Sequence, residues 1–155
     1  MSLLTLTAWA TKKLSKGEFQ IISAGTGIVH SEMNEEDEEL HLYQIWIKPN
    51  IKGVKPRYEQ RKFNDEKHTL VLSPNGDNGS FKIHQDMWLH RYFLQNEELN
   101  ITLNSARNYW LQVVNGKLNL HEHELGKADG VAINDEILLK IKCEKKAEFL
   151  LFDLP

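Results

Sequence analysis

The residues of this chain best suited to chemistry are His30 and Glu32, in the run GTGIVHSEMNEEDEELHLYQIWI. On a strand, an i, i+2 pair points both side chains to one face, with Cα atoms ~6.5 Å apart at the usual rise per residue. An imidazole and a carboxylate at that separation can share one cation, and the donor pair suits Fe(II), Mn, Zn or Ni. The same two residues also make an ordinary polar strand end, and spacing alone leaves both readings open. His121 and His123 in HEHE repeat the spacing after a turn signal, where a solvated face among Glu122 and Glu124 accounts for them without a ligand. His84 and Asp86 in KIHQD form a third pair, in which a carboxylate orienting an imidazole makes a structural hydrogen bond.

Other candidates fall away on geometry. Ser31 adjoins His30, but neighbours on a strand face opposite ways, so the two are no nucleophile and base. Gly25-Thr26-Gly27 lacks the length and the following helix of a dinucleotide-binding turn. The acidic run Glu35 to Glu39 is a solvated loop, and Trp46, Trp88 and Trp110 sit in apolar runs that read as core.

The elements that must position these residues are strands. LHLYQIWI, Leu40 to Ile47, carries large apolar residues on both alternating faces, as in a strand covered on both sides. NITLNS, EILLKIK and AEFLLFDL follow the same period of two. YWLQVV and KLNL flank Asn115-Gly116, the pair favoured in a two-residue hairpin because both positions need positive φ. Lys55 to Asn64, KPRYEQRKFN, is the best helical candidate, and it is short and polar. Many short strands with turn signals between them predict an all-β barrel or sandwich.

Composition narrows the partners. The 155 residues suffice for a substantial core, and the formal net charge of -3 gives no basic excess for a phosphate backbone. Direct nucleic-acid binding is therefore not expected. Lone Cys143 cannot form an internal disulfide, no stretch has the apolar length of a membrane span, and the opening residues lack the basic start of a signal peptide. A cytoplasmic protein is the expectation.

GEFQIISAGTGIVHSE, LHLYQIWI, KPRYEQRKF and GSFKIHQD, in this order, resemble the pirin family from about Lys13 to Pro155. The resemblance implies an all-β cupin fold, a double-stranded β-helix or jelly-roll barrel. It implies a partial N-terminal barrel over 1–48, a linker over 49–67 and a complete C-terminal barrel over 68–155. Pirins hold an iron-type metal through three histidines and a glutamate, and His30 and Glu32 match the later two ligands. The earlier two come from an HxH motif that would precede Lys13, where MSLLTLTAWAT has no histidine. His41 or a partner chain would have to supply further donors.

The family activity is flavonol (quercetin-type) 2,3-dioxygenation with Fe(II) or another divalent transition metal. Glu32 is then both a metal ligand and the candidate catalytic base, and His30 is a ligand. With two of four ligands missing, the expectation is a chain inactive alone and with metal possible but absent. The alternative is a non-catalytic pirin that binds a protein partner in a regulatory, transcription-cofactor-like role, or a fragment without independent function. Exposed strand edges imply a homo-oligomer, and the alternating leader LLTLTAWA is a candidate substitute strand.

Overall fold

A computed structural model describes residues 2–7 and 11–155, with side chains from residue 12 onward. The chain divides into two compact units, Met1–Phe63 and Asn64–Pro155. As the alternating patterns predict, the described residues are almost entirely strands and loops, with a single 3-10 turn at Asp77–Gly79 and no α-helix.

In the first unit, β1 (Ser2–Thr7), β2 (Thr11–Ser15) and β4 (His30–Met33) form a three-stranded sheet in the order β2-β1-β4. β3 (Glu18–Ser23) and β5 (Arg57–Lys62) form a separate antiparallel pair, from Glu18 opposite Lys62 to Ser23 opposite Arg57. The described part of the leader is a strand, and residues 8–10 lie outside the described residues. β1 runs antiparallel to β4, setting Thr7 opposite His30 and Thr5 opposite Glu32.

Three local expectations are overturned. The stretch 55–64 is not helical, because its side chains alternate with period two. Arg57, Glu59 and Arg61 pair among themselves at 3.1 and 3.7 Å, while Tyr58 and Gln60 join a hydrogen-bond network with Gln20. A ladder partner in β3 then fixes the extended form. LHLYQIWI is not a strand covered on both sides: residues 40–47 pair with no described strand, and Leu42, Ile45 and Trp46 are 41, 38 and 87% exposed. An alternating apolar segment becomes a strand only where a neighbouring edge takes its backbone groups. Trp46 is accordingly not core, and Trp110 is only partly covered.

The second unit is built around β13 (Leu138–Leu154). Its long neighbour β8 (Trp88–Thr102) pairs along one edge, and β9 (Asn108–Gly116) followed by β10 (Leu118–Leu120) pairs along the other. β6 (His68–Ser73) lies beyond β8 and pairs with short β7 (Phe81–Lys82), while β11 (His123–Leu125) pairs with β10 and β12 (Gly130–Ile133) with β9. Leu139, Ile141 and Cys143 are buried and alternate with exposed Lys140, Lys142 and Glu144. With Tyr92, Leu94, Leu111, Val113 and Phe149 they form one apolar cluster. Each fully buried side chain of this size contributes about 1.5–3 kcal/mol.

The Asn115-Gly116 hairpin is also corrected. β9 and β10 do not pair with each other; they run in succession along the same edge of β13. Gly116 has φ +80, and a Cβ there would lie 2.0 Å from the carbonyl oxygen of Lys146. The glycine permits a close backbone approach at an irregularity in the ladder, so the chain bends without reversing.

Candidate functional site

The two residues singled out by spacing lie side by side on β4. His30 is exposed, and Glu32 is half-buried. A chain of side-chain bonds explains the difference. Gln20 of β3 donates through Nε2 to Glu32 Oε1 at 2.5 Å. Tyr58 of β5 lies with its hydroxyl 3.3 Å from Gln20 Oε1 and donates to Gln60 Oε1 at 2.9 Å. Gln60 Nε2 in turn donates to the Lys13 carbonyl at 2.8 Å and to Glu18 Oε2 at 3.2 Å, and Glu18 accepts the Ser15 amide at 2.6 Å.

The network fixes one orientation for the Glu32 carboxylate. A hydrogen bond to a charged acceptor contributes roughly 1.5–3 kcal/mol. Burial, then the negative charges of Glu18 and Glu32, push the Tyr58 phenol above its ordinary pKa, so it stays protonated as a donor. Gln20 and Gln60 carry no signal in the sequence, because their role depends on the register of β3 against β5. The turn before β4 is set by Gly25, where φ is +58 and a Cβ would meet Val54 O at 2.6 Å. Gly25 thus serves a close approach of backbone.

Among the described residues no three of His, Cys, Asp or Glu come together to hold a metal, and residues 1–11 contain none of these types. His41 is exposed, and its ring lies edge-on to Tyr43 at 4.9 Å.

The other candidates disperse. His121 has φ +52 in a turn, which breaks the strand geometry it would share with His123, and Glu124 pairs with Lys117 at 2.8 Å. His84 and Asp86 lie outside any strand, and the Asp86 carboxylate accepts from Arg107 at 3.1 Å. One histidine pair was invisible to spacing: His68 of β6 and His90 of β8, whose rings meet across two strands. Only the pairing of β6 with β8 brings them together.

Comparison with known proteins matches residues 9–47 to the family described as Pirin, and residues 70–154 to the Quercetinase C-terminal cupin domain. The chain is 47% identical over 147 residues to the quercetin 2,3-dioxygenase of Escherichia coli, covering 93% of this chain and 64% of that enzyme. The crystal structure of YhhW from Escherichia coli is similar at TM-score 0.93 and 44% identity, over 99% of this chain and 68% of that one. A second crystal structure, of bacterial pirin YhhW in complex with nickel(II), is similar at TM-score 0.92 with the same identity and coverage. The chain thus spans somewhat less than two thirds of the curated enzyme that it matches, and the all-β architecture and both family matches agree. This chain belongs to the pirin family of cupin proteins.

Proposed function

We propose that this is a pirin-type protein whose family chemistry is 2,3-dioxygenation of a flavonol-like small molecule with a divalent transition metal such as Fe(II). In this reading His30 and Glu32 belong to the metal site, and Glu32 is the candidate base toward the flavonol hydroxyl. The observation that carries it is the Gln20 bond to Glu32, which aims a carboxylate from β4 beside an exposed imidazole on the same strand. The relative in complex with nickel(II) supports a divalent ion as the cofactor class.

Two of the four donors that the family uses hold an iron-type ion only weakly against water, so the chain alone is inactive or nearly so until further donors join. Metal analysis with a quercetin assay tests this. The expected result is iron well below one ion per chain and no turnover. Stoichiometric metal that is lost on His30→Ala, together with quercetin consumption, would overturn the inactivity.

A second reading is a non-catalytic binding protein, favoured by the exposure of Val29 at 84% and Trp46 at 87% in the first unit. Apolar side chains so exposed suit a protein partner or a second copy of this chain. In either reading we place the protein in the cytoplasm, in keeping with its single, buried cysteine.

A further inference from the structure

Away from β4, two imidazoles meet in the second unit. The pairing of β6 with β8 sets His68 opposite Tyr92 and Leu70 opposite His90, so the histidines lie diagonally on one face. His68 Nε2 and His90 Nδ1 are 3.0 Å apart. The pair rests on an aromatic stack: His68 lies on Tyr92 at 4.6 Å between centroids, and Tyr92 lies on fully buried Phe149 at 4.8 Å. His90 is half-buried beneath, while His68 is exposed and gives access from solvent.

We propose that His68 and His90 together form a binding site for one borderline divalent transition cation of the Ni(II) or Cu(II) class. Metal–imidazole bonds of ~2.0–2.1 Å to nitrogens 3.0 Å apart enclose roughly 95°, the cis angle of square-planar and octahedral ions. Burial lowers the pKa of both rings, that of His90 to about 4, so near neutral pH protons do not compete for the lone pairs.

Binding moves one proton and releases none. The ring that now donates across the gap shifts its hydrogen to its other nitrogen, which leaves both facing nitrogens as ligands. Both rings turn, so that each lone pair leaves the line between the two nitrogens by about 45° and meets the cation. No third His, Cys, Asp or Glu joins the pair among the described residues, so water completes the coordination. Hard ions that need oxygen cages, Mg(II) and Ca(II), are not held.

This site is independent of the β4 residues. The test uses the full chain carrying His30→Ala, titrated with nickel chloride and with copper chloride while imidazole proton resonances are followed. One saturable site per chain is expected, with His68 and His90 signals perturbed first. Adding His68→Gln or His90→Gln should weaken binding about tenfold or more, whereas His121→Gln with His123→Gln should leave it unchanged. His68→Gln is the decisive variant, because its side chain is exposed and the fold is verified by circular dichroism. Affinity unchanged in a folded His68→Gln protein, or no saturable binding, overturns the proposal.

Discussion

In the second unit Leu111, Val113, Leu139 and Phe149 are wholly removed from solvent, whereas no described side chain of the first unit is fully buried. The first unit is held instead by strand ladders and by the polar chain from Glu32 through Gln20, Tyr58 and Gln60 to Glu18. Apolar burial is insensitive to small displacements but collapses when volume is removed. A polar chain tolerates truncation of its apolar neighbours but depends on each donor facing its acceptor.

The sharpest way to break this comparison is Phe149→Ala. It should destabilise the second unit by about 3–5 kcal/mol, the cost of an aromatic-sized cavity in a packed core. A loss under about 1 kcal/mol in denaturant unfolding would mean that the core is not the source of its stability.

Acid comes next. His90 has its pKa lowered to about 4 by burial, with His68 adding to the effect and Asp153 opposing it. The unfolded imidazole takes up its proton near pH 6.5 and the folded one only near 4. Neutral His90 therefore contributes stability that is complete above about pH 6.5 and is lost as pH falls toward 4. The full loss is at most about 3 kcal/mol. Comparing unfolding of the natural chain and His90→Gln across that window should show a flatter profile for the variant.

Gly116→Ala should cost about 1–3 kcal/mol in thermal unfolding, because φ +80 and the nearby Lys146 carbonyl both disfavour a Cβ. The smallest effect is predicted for the first unit. Trp46→Ser should change stability by less than about 0.5 kcal/mol while weakening the contact with a second copy that the second reading of the function proposes for its exposed indole. Light scattering at micromolar concentration checks this, and a monomeric natural chain would remove the basis for the association.

The second unit was largely legible because burial writes a period of two into the sequence. EILLKIK sets Ile137, Leu139 and Ile141 on one face, and Leu139 and Ile141 are buried while Ile137, just before β13 begins, is 67% exposed. What failed was everything decided by a distant partner. LHLYQIWI has the pattern of a strand but no described ladder beside it, and KPRYEQRKF has helix-compatible residues but a ladder waiting in β3. Asn115-Gly116 has hairpin chemistry, yet the neighbouring β13 backbone keeps the chain on its edge. The candidate site divides the same way. His30 and Glu32 are singled out by an i, i+2 spacing along one strand, whereas Gln20, Tyr58 and the His68–His90 pair emerge only once strands are in register.

The place of β13 has a consequence for how the protein is made. It is the last described strand, yet β8, β9 and β10 all pair with it. During synthesis those three strands leave the ribosome well before the edge that completes them. At roughly 5–20 residues per second the edges that face β13 spend seconds unpaired, even though β6, β12 and β11 have already emerged to pair with the other edges. Folding of this unit is therefore a late, long-range event. The interval before β13 arrives is when the nascent chain is most exposed to chaperone capture or to pairing with a neighbouring copy.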